Sequence, residues 1–69
     1  MAKVRLVLMF EGKVDNDFMT EMEVPKKNES ITIVGLNDDY LNYKVKFIQH
    51  FLGRFGYFHY IMVTAIRKS

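Results

Sequence analysis

Two histidines, two serines and no cysteine give this chain few groups with which to break covalent bonds. Histidine is the residue type most often used for proton transfer, so His50 and His59 are the candidates for a general base. A histidine base needs an orienting partner, and every carboxylate precedes both histidines by at least eleven positions. No local motif joins them, and the plain reading leaves His50 on a wet surface and His59 within a sheet. Ser30 lies at a strand edge and Ser69 at the last position, neither beside a base. Without cysteine there is no thiolate nucleophile, no disulfide and no thiolate metal site. The expectation is a protein that is not an enzyme. Asp15-Asn16-Asp17 has the opening spacing of a calcium loop, but Met19 and Thr20 stand where an EF-hand needs an oxygen ligand and a glycine. With Glu21 and Glu23 these acids read as a wet strand face, so no metal and no cofactor is expected. Asn28-Glu29-Ser30 matches a glycosylation sequon, read as a chance match because no secretion signal accompanies it.

Binding chemistry is better supplied. Residues 1–39 carry five cations against eight anions, whereas residues 40–69 hold Lys44, Lys46, Arg54, Arg67 and Lys68 with no acid. Eight of the ten aromatic rings also lie in that second part, together with both histidines. Cations interleaved with rings are the composition of single-strand nucleic-acid binders, and equally of a basic rim around an apolar protein contact. The candidate partner-binding residues are therefore Lys44, Lys46, His50, Arg54, Arg67 and Lys68. The split of charge also fits head-to-tail self-association.

The elements that must carry these groups are few. Sixty-nine residues make one domain, 1–69, small enough that its core is marginal and self-association a natural remedy. No apolar run reaches the ~18 residues of a membrane span. The N-terminal stretch lacks a signal-peptide cleavage pattern, so a cytoplasmic setting is expected. Lys3 to Phe10 alternates as a strand that becomes apolar on both faces, and residues 11–17 read as a long polar hairpin connection. Phe18 to Val24 alternates again with one wet face. Pro25 stops it, and Ser30 to Leu36 is a third strand rich in β-branched residues.

Residues 37–56 hold two patterns at once, with residues 38–53 as the helical span. Leu41, Val45, Ile48, Leu52 and Phe55 follow helical spacing, with Asn37 or Asp38 as N-cap and Gly53 or Gly56 as terminator. Against this, residues 41–47 alternate strictly. The caps and the longer stripe favour a helix. Tyr57 to Ile66 is then a last strand, apolar on both faces and so internal, lying parallel to the first. These elements define an α+β fold: a small antiparallel sheet, β-β-β-α-β, with one helix packed on one face. Val7 and Met9 would remain on the uncovered face and favour a homodimer through the sheet.

Two short segments resemble known families. Arg54-Phe55-Gly56-Tyr57-Phe58-His59-Tyr60 resembles the first RNP motif of RNA-recognition domains, which implies base stacking by Tyr57, His59 or Tyr60. The glycine expected after Arg54 is absent, and the chain has no room for the helix and strand that follow in that family. Val4-Arg5-Leu6-Val7-Leu8-Met9 with Phe18-Met19-Thr20-Glu21-Met22-Glu23-Val24 resembles the opening hairpin of the small Dmd-type antitoxins of T-even phages. The likeness spans about twenty residues. It implies a phage-type accessory protein that docks on and inhibits a host protein. The sequence thus points to a non-enzymatic protein-binding module, dimeric, whose partner presents an acidic or apolar surface. The alternative is a nucleic-acid binder using the basic, aromatic-rich second part.

Overall fold

Five stretches alternate, and all five are strands. The structure, a computed structural model, describes residues 1–68: β1 (Ala2–Phe10), β2 (Lys13–Met22), β3 (Ser30–Val34), β4 (Tyr40–Leu52) and β5 (Phe58–Arg67). They form one mixed sheet in the order β2-β1-β5-β4-β3. β1 and β5 run parallel at its centre, and every other pairing is antiparallel. The sheet curls into a half-barrel, and the described residues contain no helix. The expected α+β, β-β-β-α-β arrangement is therefore wrong. The protein is all-β.

The helical stripe has a specific origin. Within β4, Leu41, Tyr43 and Val45 share the concave face with period two. The register then slips by one between Val45 and Phe47, so Lys46 is an extra residue opposite β5. Such a bulge inverts the phase of every residue beyond it. Ile48, His50 and Leu52 consequently return to the concave side, and the steps from Leu41 through Val45 and Ile48 to Leu52 become four, three and four. A bulged strand thus reproduces helical spacing. The caps had other uses as well. Residues 35–39 form the β3–β4 turn, closed by Gly35 N–H donating to Asp39 O at 2.8 Å with Asp38 at φ 59°. Gly53 and Gly56 shape the β4–β5 turn, where Gly53 N–H donates to Tyr57 O at 2.6 Å.

The first hairpin is tighter than expected. Glu11 and Gly12, at φ 51° and 76°, make a two-residue turn of the primed kind, whose twist matches that of the flanking strands. The register slips again further along, with Leu8 opposite Asn16 but Met9 opposite Val14, so Asp15 bulges. The three leading strands also form no meander. After β2, a connection through buried Pro25 carries the chain to the opposite edge of the sheet. There Asn28 N–H donates to Val45 O, and Val45 N–H donates to Glu29 O, each at 2.9 Å.

The concave face holds the core. Val4, Leu6 and Leu8 of β1, Tyr43 and Val45 of β4, and Ile61, Val63 and Ala65 of β5 are buried against one another. Phe18, Met22, Ile31, Ile33, Leu41 and Ile48 pack around them. The final strand is internal, as its two-sided apolar pattern implied, and it runs parallel to the first although no helix among the described residues returns it. On the convex face Val7 is already buried within the single chain and Met9 is half-buried. The surplus apolar surface lies elsewhere.

Candidate functional site: a projecting aromatic and basic arm

The hairpin between β4 and β5 outruns its neighbours. β3 pairs with β4 only up to Lys44, with Val45 held by residues 28 and 29. β1 pairs with β5 only from Ile61 onward. Residues 51–60 therefore project beyond the half-barrel, and together with residues 47–50, the stretch of β4 from which they rise and whose outer edge has no strand beside it, they form an arm. The chain measures 42 × 23 × 19 Å with a radius of gyration of 12.7 Å. A compact chain of this length would have a radius of about 11 Å.

The arm displays what proteins ordinarily hide. Phe47, Leu52, Phe55, Tyr57 and Phe58 are each at least half exposed, Phe55 at 88%. Some rings support one another: Phe51 stacks on Tyr60 at 4.8 Å between centroids, and Tyr57 lies over His59 at 6.4 Å. His59 also meets Tyr60 edge-on at 5.7 Å. Within that spacing aromatic pairs gain more than their area alone provides. A second slip, with Phe51 opposite Tyr60 but Leu52 opposite Phe58, makes His59 the bulged residue. The Tyr57 ring lies against Gly53, where a Cβ would displace it.

The six expected partner-binding residues do not form one surface. Lys44 lies opposite Ser30 and Ile66, Lys68 Nζ donates to Ser30 Oγ at 2.5 Å, and Arg67 sits 4.5 Å over the Phe10 ring. These three occupy the end of the sheet where β5 finishes. His50, opposite Ile61, and Arg54, in the turn, belong to the arm, with Lys46 at the bulge between the groups. At ~3.3 Å per residue, the run of β5 separates the two ends by about 30 Å.

The acidic cluster is likewise divided. Arg5 Nε and Nη2 donate to the two carboxylate oxygens of Asp17 at 2.9 and 2.7 Å. That fork holds Asp17 below the usual carboxylate range, and it raises the Arg5 guanidinium. Asp15 accepts the Tyr43 hydroxyl at 3.2 Å, linking β2 to β4 across the concave face. Burial first, and then this carboxylate, push the Tyr43 hydroxyl above its ordinary value. Glu21 and Glu23 stay exposed. Among the described residues no group of three histidine or carboxylate side chains is placed to hold a metal ion. Ser69 lies outside the described residues.

Sequence reasoning missed the Arg5–Asp17 pair, which depends on the tight Glu11-Gly12 turn. It also assigned Phe47, Leu52 and Phe55 to a helix rather than to an exposed arm. The density of rings within residues 47–60 was the available signal. No helix among the described residues is long and apolar enough to cross a membrane. No protein-family model matches this chain, and neither a curated protein nor a solved structure shows significant similarity to it.

Proposed function

We propose that this protein is a non-enzymatic binding module that docks on another protein through the arm. The observation carrying this reading is the cluster of exposed rings within residues 47–60, where the charged side chain is Arg54 and no acid is present. Exposed apolar surface with a cationic edge is the composition of a protein contact whose partner is acidic. Inhibition of a host protein by a phage-type accessory protein belongs to the same proposal, as does a cytoplasmic setting.

A second reading has its own support. Tyr57 and His59 lie over one another on the arm beside Arg54, an arrangement on which bases could stack. Two assays separate the readings. Phe55→Ser with Phe58→Ser removes exposed rings without touching the core, and should abolish capture of the partner while leaving the unfolding midpoint unchanged. Single-stranded RNA in a gel-shift series at two salt concentrations should show no retardation by the parent protein. Strong, salt-sensitive retardation would replace the protein partner by nucleic acid, because phosphate contacts weaken steeply with salt.

A further inference from the structure

β4 has a free edge, and its length and symmetry select an occupant. Beyond Val45 the strand continues through residues 46–52 with β5 on one side and, among the described residues, no strand or backbone hydrogen bond on the other. Seven residues of half-satisfied backbone form a template for another strand. Their midpoint is Gln49. We infer that two copies of this chain pair antiparallel through this edge, with Gln49 of one opposite Gln49 of the other about a two-fold axis.

The register follows from using the whole free length. It sets Phe47 of one copy against Phe51 of the partner copy on the convex face, and Ile48 against His50 on the concave face. Directly opposed aromatic pairs on one sheet face are favourable, and Phe47, now 66% exposed, gains a ring to cover it. The ends are matched as well. Gly53 of one copy arrives opposite Val45 of the other, where residues 28 and 29 already occupy the edge. Pairing must stop there, and it brings Arg54 up to the exposed Glu29 of the other copy. That contact supplies an opposite charge twice, once at each end of the ribbon. It offsets the repulsion between two arms that carry no acid of their own. A two-fold contact of this kind closes on itself and does not propagate into fibres. It uses the backbone, Phe47, Phe51 and Arg54 and leaves Phe55, Tyr57 and Phe58 for a foreign partner, so it shares Arg54 with the proposed docking surface while its cross-linking test needs no foreign partner.

The chain lacks cysteine, so a single introduced thiol reports the register directly. Residues opposed across antiparallel strands have Cα atoms ~4.5 to 5.5 Å apart, within disulfide reach. Under mild oxidation Gln49→Cys should form a covalent dimer at least about tenfold faster than Glu21→Cys on the β2 edge or Thr32→Cys on the β3 edge. Sedimentation of the parent protein should show a dimer whose dissociation constant rises about tenfold in Phe47→Lys. Arg54→Glu should weaken the dimer, and Arg54→Glu with Glu29→Arg should restore it. A parent that sediments as a monomer up to roughly 100 μM overturns the inference. So does cross-linking at Glu21→Cys or Thr32→Cys as fast as at Gln49→Cys.

Discussion

The half-barrel and the arm are made of similar residues and treat them in opposite ways. In the body, Val4, Val45, Val63 and Ala65 have no exposed surface, and Leu8 and Tyr43 almost none. In the arm, Phe55 and Tyr57 stand in water with only stacking neighbours or a turn for support. Hydrophobicity does not separate the regions, since the arm is the richer in rings. Neighbouring strands do. Between Ile61 and Ala65, β5 has a partner on both sides, and the sheet curls over its concave side chains. Beyond Tyr60 in the direction of the turn, the hairpin has no third strand to pack against, and two strands alone bury little. Burial and exposure are therefore divided between two parts of one β4–β5 hairpin.

Truncating one side chain in each region should give the largest contrast. Leu8→Ala should cost ~2–5 kcal/mol in urea unfolding, because it leaves a cavity in the concave core. Leu52→Ala, on a side chain 62% exposed, should stay within about 0.5 kcal/mol. Equal losses at both positions would mean that the arm is part of the folded core.

A smaller effect is expected at the clasp between β2 and β4. Tyr43→Phe removes one hydrogen bond and no volume of consequence, so about 1 kcal/mol should be lost. Its pH dependence has a definite sign. The folded state holds the Tyr43 proton more tightly than the unfolded chain does, so the unfolded chain deprotonates first. The stability from this site is complete below pH 10.0 and declines as the pH rises further. Unfolding series on either side of that pH should show a shallower decline in Tyr43→Phe than in the parent.

Gly53→Ala tests the arm by itself. The new methyl displaces the Tyr57 ring, so the Tyr57–His59 overlap should be lost in the ring-current shifts of His59. The unfolding midpoint should move little, by less than about 1 kcal/mol. The smallest effect belongs to the convex face. The Arg5–Asp17 fork is solvent-exposed and screened by salt. Because Asp17 is held below its ordinary value, this pair contributes above pH 3.8 and is lost as the pH falls further. Asp17→Asn should narrow that acid-side loss slightly. A shift larger than that of Tyr43→Phe would show the convex face to be structural.

Strand-forming alternation was legible in β1, in β2 from Phe18 onward, in β3 and in β5 from the chain alone, as was the internal place of β5, whereas residues 13–17 of β2 read as loop. A two-sided apolar strand has nowhere else to go. The imbalance of charge and rings between the two parts of the chain was equally plain, because it is composition. What the pattern of β4 concealed was a bulge. Lys46 adds one residue to a period-two strand, and the resulting four, three, four spacing cannot be told from a helix without knowing the partner strand. Only β5, lying alongside, determines that residue 46 is the extra one. The same holds for Asp15, whose displacement depends on the register with β1 and whose bond to Tyr43 depends on the curl of the whole sheet. The basic residues repeat the point. Lys44, Arg54 and Lys68 look contiguous as a set of charges, yet the run of β5 holds them at opposite ends, because a strand converts sequence separation into distance at a fixed rate. Local composition thus determined which groups this protein has. Strand pairing, which is non-local, decided which of them meet, which are buried and which are left in water on the arm.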